Sequence, residues 1–135
     1  MDCKKKFNEG MLPRLDDLNG VFRVCLVGRF LPGVCVCGHR KVFVKGLNSR
    51  PTGHNRFLGF IKIGFFSVDI GDSLLVPGDT VMRIAYQDPK NAFFIRPLTD
   101  EVRQVAPGEY IGRGAYEIFG KRLLVFYFTI SRMDR

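Results

Sequence analysis

Short extended segments separated by turn-forming residues dominate this chain of 135 residues. The turns contain Pro77-Gly78, Pro107-Gly108 and Phe119-Gly120. With the other turn signals of the chain, such as DPKN at 88–91, they recur at intervals of about 8–12 residues, which is typical of all-β sandwiches and barrels. Fifteen Gly and thirteen Phe fit strands and tight turns, and no long segment repeats its apolar residues with a helical period. We therefore predict an all-β fold, an antiparallel up-and-down β-barrel that forms one domain over residues 1–135.

A short helical turn precedes the first predicted strand. The segment LDDL places two acidic residues where a helix start favours them, and Asn19-Gly20 ends the turn. In the strand that follows, VFRVCLVGRF, strict alternation places Phe22, Val24 and Leu26 on one face. The fold is thus expected to begin with a helical turn that leads into a strand with one apolar face.

The run CVCGHRKVFVKG admits two interpretations, a metal site or a strand that carries two thiols and an imidazole. Alternation places Cys35 and Cys37 on the same side of a strand, with their sulfurs roughly 6–7 Å apart. A zinc ion needs a bond of about 2.3 Å to each sulfur and tetrahedral closure, and this spacing makes a poor knuckle. The remaining candidate ligands are Cys3, Cys25, His39 and His54. We predict a strand and no metal.

The cysteines and the beginning of the chain bear on the cellular compartment. No apolar stretch follows the three lysines of MDCKKKFNEG, so this segment does not look like a secretory signal peptide. No run approaches the roughly 18 apolar residues of a membrane helix. The four cysteines would pair in an oxidising compartment. Without a signal peptide, we expect reduced thiols and a cytoplasmic protein.

Positive charge is concentrated in the first half of the chain. The net charge is +8, yet basic and acidic residues balance from Ser67 onward. Between Asp17 and Asp69 there is no acidic residue, and eight basic residues fall there. Such a surface either keeps the protein soluble or attracts an anion, which would be an anionic ligand, nucleic acid or an anionic membrane.

The segment RFLGFIKIGFFSVDIG is apolar on both faces if it forms a single strand. Phe57, Ile61 and Ile63 would then share one face, while Phe60 and Phe66 would share the other. A strand on a half-solvated sheet alternates more clearly between apolar and polar residues. We interpret the polar stretch before it, GLNSRPTGHN, as a loop. The strand is expected to line a cavity, meet a lid or meet a second subunit in a homodimer.

Two arginines among apolar residues are candidate ligand anchors. Arg96 shares a face with Phe94, and Arg113 shares a face with Ile111 and Glu117. An arginine in apolar surroundings is costly unless it is paired. Arg113 either pairs with a carboxylate, for which Glu117, Asp100 and Glu101 are the candidates, or binds the carboxylate or phosphate end of a ligand.

Two features resemble the lipocalin and calycin superfamily of β-barrels. The stretch LDDLNGVFRVCLV contains Gly20-Val21-Phe22, which is similar to the G-x-W that opens the first strand of those barrels, with Phe in place of Trp. The closing strand RLLVFYFTISR carries Arg132 near the position of the arginine that packs across that tryptophan. The resemblance implies a calycin-like barrel that reversibly binds one small apolar or amphipathic molecule.

We therefore predict that the protein binds a lipophilic ligand with an anionic end inside the barrel, without a cofactor. Arg96 or Arg113 would hold the anionic end. The predicted ligand-binding residues also include Phe60, Phe66, Met82, Tyr86, Tyr116, Phe126 and Phe128.

Two alternatives remain open at this point. The first is binding of single-stranded nucleic acid, with phosphates on the basic first half and bases stacked on Phe. The second is a barrel isomerase or cyclase acting on a lipid-like substrate, with Glu117 or Tyr116 as the titratable group. No G-x-S-x-G, H-E-x-x-H, P-loop or G-x-G-x-x-G motif is present. His39 adjoins Arg40 and Lys41, whose charges disfavour its imidazolium form.

Overall fold

The protein is a closed barrel of eight antiparallel strands in which every strand pairs with its neighbours in sequence and β8 pairs with β1. The computed structural model describes residues 2–27, 35–45, 51–57 and 61–133. The order in which the strands pair confirms the predicted up-and-down β-barrel. The strands are β1 (Gly20–Val27), β2 (Cys35–Lys45), β3 (Pro51–Phe57), β4 (Ile61–Asp72), β5 (Thr80–Ala85), β6 (Leu98–Ala106), β7 (Glu109–Ile118) and β8 (Lys121–Arg132).

A short helix and a 3₁₀ turn precede the barrel. Helix α1 (Cys3–Glu9) begins at Asp2, whose side chain accepts a hydrogen bond from the Lys5 backbone N–H. The 3₁₀ turn (Leu15–Asp17) lies where the sequence predicts a helical turn. Helix α1 packs on the outside of β6 and β7. Within the described ranges, no helix has the length and apolar character required to cross a bilayer.

The interior of the barrel is filled by one side of each strand. On β1 this side contains Phe22 and Val24, which are both fully buried, and so the predicted apolar face points inward. The buried residues of this core are Leu18, Phe22, Val24, Phe43, Phe66, Val68, Met82, Ile84, Tyr86, Val102, Tyr110, Phe128 and Ile130.

The doubly apolar segment is two strands and not one. The stretch interpreted as a polar loop contains most of β3, and β3 pairs with β4 in antiparallel register. Gly64 on β4 has φ +67°, and the register of the pair shifts near it, so the inward face changes phase within β4. Ile63 and Phe66 can therefore both face the interior, and the predicted homodimer stays a prediction.

Glycines on β7 make room for two aromatic rings of β8. A Cβ on Gly112 would lie 2.2 Å from the Phe128 ring, and a Cβ on Gly114 would lie 2.6 Å from the Phe126 ring. Both distances are well below van der Waals contact. Because Gly112 and Gly114 have no side chains, the rings of Phe126 and Phe128 can pack against the inner face of β7.

Arg132 closes the end of the barrel where the chain enters β1. Its guanidinium lies 5.3 Å from the centroid of the Phe22 ring. The same group donates a hydrogen bond of 2.6 Å to the carbonyl oxygen of Asp17 in the 3₁₀ turn. One side chain of β8 thus holds both the first strand and the turn before it, by a cation–π contact and a hydrogen bond.

Cys25 on β1 is disulfide-bonded. This departs from the expectation of reduced thiols for this residue. That expectation was based on the rule that disulfides persist mainly in oxidising compartments. The cytoplasmic location stays a prediction.

Arg113 is buried on the outside of the barrel, beneath helix α1. Its guanidinium lies 2.9 Å from a carboxylate oxygen of Glu101 and donates to the Ser73 hydroxyl at 3.2 Å. It also lies 4.0 Å from the centroid of the Phe7 ring of α1. Of the three carboxylates proposed for it from the sequence, Glu101 is the partner. These contacts tie α1 to the barrel wall.

Replacing Arg113 should therefore destabilise the fold. Arg113→Met leaves the Glu101 carboxylate buried and uncompensated, so the free energy of unfolding should fall by about 3–5 kcal/mol. The matched control is Lys45→Met, because Lys45 forms an exposed pair with Asp16 and its loss should cost at most about 1 kcal/mol. Urea unfolding of both variants checks this. Equal losses in the two variants would contradict the structural role of Arg113.

Candidate functional site

A cavity of about 230 Å³ lies inside the barrel. Part of its wall comes from Ile95 in the connection between β5 and β6, and Ile63 in the wall is 41 % exposed, so the cavity reaches the surface. Five polar residues share the wall with apolar ones. The lining is Val24, Leu26, His39, Lys41, Asn55, Phe57, Ile63, Gly64, Tyr86, Ile95, Leu98, Asp100, Phe126 and Phe128.

Lys41 is the centre of the polar cluster. Its side chain is 2 % exposed, and Nζ donates to the Asn55 Oδ1 at 2.8 Å and to the Tyr86 hydroxyl. Nζ also lies 3.4 Å from the Asp100 Oδ2. A buried ammonium is tolerated only when it is paired and hydrogen-bonded, and these three partners meet that requirement.

Aromatic rings surround the same ammonium group. Nζ of Lys41 lies 5.2 Å from the ring centroids of Phe66 and Tyr86, and 5.6 Å from that of Phe128. Cations are attracted to ring faces at such distances. The rings therefore help to hold Lys41 in place.

Asp100 balances the charge of Lys41, and the neutral Tyr86 hydrogen-bonds to both residues. The Tyr86 hydroxyl donates to the Asp100 Oδ2 at 2.8 Å. Burial raises the pKa of the Asp100 carboxyl, while Lys41 and Tyr86 oppose the rise. Burial lowers the pKa of the Lys41 ammonium, and Asp100 opposes that change. Burial also raises the pKa of Tyr86 well above its ordinary value, so the phenol keeps its proton.

The orientation of Asn55 determines the tautomer of His39. The Asn55 Nδ2 donates to the Gly64 carbonyl at 3.1 Å, and its Oδ1 accepts from Lys41, so oxygen and nitrogen are distinguished. His39 Nε2 lies 2.7 Å from the same Oδ1 and must donate to it. Burial lowers the pKa of His39 to about 4, and Lys41 adds to this effect. The imidazole is therefore neutral at physiological pH, and its Nδ1 is a bare acceptor.

Two buried polar atoms of the cluster have no hydrogen-bond partner within the described part of the chain. They are His39 Nδ1 and Asp100 Oδ1. Both residues line the cavity. Buried acceptors are nearly always satisfied in proteins, so an exception calls for an explanation.

The backbone brings the cluster together from three strands and one connection. His39 and Lys41 are two residues apart on β2 and so share its inner face, while Asn55 lies on β3 and Asp100 on β6. Tyr86 follows the end of β5. A glycine is needed at position 64, since a Cβ there would lie 2.6 Å from the Asn55 Nδ2. Sequence analysis missed His39, Lys41, Asn55 and Asp100 as site residues.

Only alternation gave a usable signal for this cluster. In the segment HRKVF, His39, Lys41 and Phe43 occupy alternate positions, and a lysine between a histidine and a phenylalanine on one face is unusual for a solvated surface. The partners of Lys41 lie 14, 45 and 59 positions away in the chain. No local pattern links residues at such separations.

Three of the residues predicted to bind a ligand line the cavity, namely Tyr86, Phe126 and Phe128. Phe66 and Met82 are buried in the core and are not part of the cavity wall. Phe60 lies outside the described residues.

The predicted polar anchors are elsewhere. Arg96 is exposed and donates to the carbonyl oxygens of Asn91 and Pro89, where it holds the connection between β5 and β6. Arg113 lies beneath α1, as described above. The Tyr116 hydroxyl donates to the Phe94 carbonyl at 2.6 Å, and Glu117 is exposed. None of these four residues lines the cavity.

The CVCGH segment forms the beginning of β2, as predicted. The side chains of Cys35 and Cys37 lie outside the described residues. Among the side chains that the structure does describe, no group of three His, Cys, Asp or Glu is placed to hold a metal ion.

No protein-family model matches this sequence, and a comparison with curated proteins finds none that is similar to it.

Acidification should destabilise the fold through His39. Its pKa is about 4 in the folded protein against an ordinary value of 6.5, so between these values the unfolded chain binds more protons. The free energy of unfolding should fall as the pH drops from 6.5 towards 4, with no penalty from this group above that window. Urea unfolding across this range should show a shallower fall for His39→Gln. An NMR titration that finds both histidines near their ordinary pKa would contradict this assignment.

Proposed function

We propose that this protein binds one small lipophilic molecule inside its barrel. The cavity with its mostly apolar wall carries the proposal. Its volume of about 230 Å³ is roughly 1.5 times that of an engineered 150 Å³ cavity that binds benzene. A molecule of about the size of naphthalene matches this space. Apolar walls with a few convergent polar groups are the usual composition of a small-molecule site.

The polar cluster supports a binding site over a purely structural one. A lysine, an aspartate and a tyrosine buried together are costly, and an apolar set of similar volume would often stabilise a fold as well or better. The unpartnered acceptors on His39 and Asp100 add to that cost. A ligand that satisfies them would give the cluster a use beyond stability.

The end of the barrel around Arg132 supports membership of the calycin-like barrels. The packing of Arg132 across the Phe22 ring is the arrangement that the sequence resemblance implies. In calycin-like barrels the interior holds the ligand, in agreement with the position of this cavity.

The proposed ligand does not include the anionic end that the sequence predicted. That prediction was based on Arg96 and Arg113 as anchors, and neither residue lines the cavity. The cation that does line it, Lys41, is already paired with Asp100. The isomerase or cyclase alternative stays a prediction, although Glu117 and Tyr116, its candidate titratable groups, do not line the cavity.

Filling the cavity should weaken binding. Leu98→Trp replaces an aliphatic side chain in the cavity wall by a bulkier indole ring. It should weaken the binding of naphthalene at least tenfold, since the indole ring competes for the same space. Leu123→Trp is the matched control, because Leu123 is 49 % exposed and does not line the cavity. NMR titration of the backbone amides with naphthalene measures both affinities. Native mass spectrometry of the freshly purified protein would show any bound organic molecule.

Failure of this proposal would be clear from the unmodified protein. If naphthalene causes no saturable shifts and native mass spectrometry finds only the bare chain, the cavity does not bind lipophilic molecules of this size. Equal affinities of the Leu98→Trp and Leu123→Trp variants would show that the probe binds elsewhere.

A row of cations on the outer surface favours polyanion binding as a second candidate function. Arg23, Arg40, Arg56 and Lys62 lie directly opposite one another across β1, β2, β3 and β4. We call them the basic row. Like charges in register are destabilising. Within the described ranges none of them pairs with a carboxylate, so phosphates of single-stranded nucleic acid would relieve the repulsion.

Removing part of the basic row should flatten the salt dependence of oligonucleotide binding. A triple variant, Arg23→Gln, Arg40→Gln and Lys62→Gln, should lower the slope of log affinity against log salt by about two. A control with the same loss of charge is Arg14→Gln, Lys121→Gln and Arg122→Gln, at exposed positions outside the row. Fluorescence anisotropy with a single-stranded oligonucleotide gives both slopes. Identical slopes, or no binding at low salt, would reject this candidate.

A further inference from the structure

Every hydrogen-bond donor of the five polar residues already has an acceptor in the protein. The three N–H groups of Lys41 face Asn55, Tyr86 and Asp100. The imidazole N–H of His39 is directed at the Asn55 oxygen, and the Tyr86 hydroxyl donates to Asp100.

The amide of Asn55 completes this set. Its Nδ2 faces the Gly64 carbonyl at 3.1 Å and the Tyr86 hydroxyl oxygen at 3.4 Å. Both of its N–H groups therefore have acceptors, and no donor of the five polar residues remains for a ligand.

Acceptors are what remain. His39 Nδ1 and Asp100 Oδ1 are buried beside the cavity without partners in the part of the chain that the structure describes. The lone pair of His39 Nδ1 is unoccupied because the proton of the neutral ring is on Nε2. The free oxygen of Asp100 is on the opposite side of the carboxylate from its bonds to Lys41 and Tyr86.

We propose that the ligand of this cavity is an apolar molecule that carries a hydroxyl group, and that this hydroxyl donates to His39 Nδ1 or Asp100 Oδ1. This inference rests on the proposed function and specifies the class of its ligand. A hydroxyl moved from water into an apolar cavity is penalised unless it finds an acceptor, and these are the acceptors at hand.

The same geometry disfavours a carboxylate ligand. A carboxylate offers only acceptors, and it would face two further acceptors with no free donor. It would also add a negative charge beside Asp100, while the positive charge of Lys41 is already neutralised. Burial of an unpaired charge is among the most costly changes in a protein interior.

A matched set of ligands tests this on the unmodified protein at neutral pH. The set comprises 2-naphthol, 2-methylnaphthalene, 2-methoxynaphthalene and 2-naphthoate. The naphthol is a donor, the methyl compound has no polar group, the ether is only an acceptor, and the naphthoate is an anion. We expect 2-naphthol to bind about tenfold more tightly than 2-methylnaphthalene, in keeping with one hydrogen bond to a polar or charged acceptor. NMR titration gives the four affinities.

The outcomes separate the ligand class from the proposed function. If 2-naphthol binds no better than 2-methylnaphthalene while both bind, the hydroxyl inference is overturned and lipophilic binding stands. Tighter binding of 2-naphthoate than of 2-naphthol overturns it in favour of an anionic ligand. If no member of the set binds, the proposed function fails and the inference fails with it.

A variant of His39 identifies the acceptor. His39→Phe removes Nδ1 and can keep the ring stacked on Phe57, which His39 contacts at 4.4 Å between centroids. If His39 Nδ1 is the acceptor, the preference for 2-naphthol over 2-methylnaphthalene should shrink in His39→Phe. If Asp100 Oδ1 is the acceptor, the preference should persist in His39→Phe and disappear in Asp100→Asn. The control is His54→Phe, since His54 does not line this cavity. A preference that survives both cavity variants would overturn the assignment.

Discussion

The buried ion pair between Lys41 and Asp100 is the constraint on which the interior of this barrel depends. It joins β2 to β6 across the barrel, with 3.4 Å between the charged atoms. A lysine in this position requires acceptors on every side, and Asn55 and Tyr86 provide them. Those residues in turn need their own partners, which is why Gly64 forms a bulge that presents its carbonyl to Asn55. The shape of the cavity follows from these requirements.

Asp100 and Glu101 show how one strand serves two separate clusters. They are adjacent on β6, so their side chains point to opposite faces. Asp100 points inward to Lys41, and Glu101 points outward to Arg113 beneath helix α1. The inner pair belongs to the candidate binding site, whereas the outer pair attaches the N-terminal helix. A register shift of one residue in β6 would exchange these two carboxylates and disrupt both clusters.

Much of the fold was predictable because its signals are local. Turn residues such as Pro107-Gly108 and the alternation in β1 arise within a few positions of the chain, and both were interpreted correctly. The prediction failed at β3, where Pro51 and Gly53 suggested a loop. Proline is compatible with the first residue of a strand, which is its place here. The bulge at Gly64 also changed the phase of β4, so a constant alternation mixed its two faces.

The sequence by itself determined the class of fold, the order of its strands and the apolar face of β1, since each follows from periodicity and turn chemistry within short segments. It also restricted the partner of Arg113 to three carboxylates. Only the tertiary structure decided which lysine is buried, which atoms satisfy it and which acceptors are left over. Closure of the barrel places residues of distant strands side by side, and the hydrogen bonds of Lys41, Asn55, Tyr86 and Asp100 exist only in that closed form.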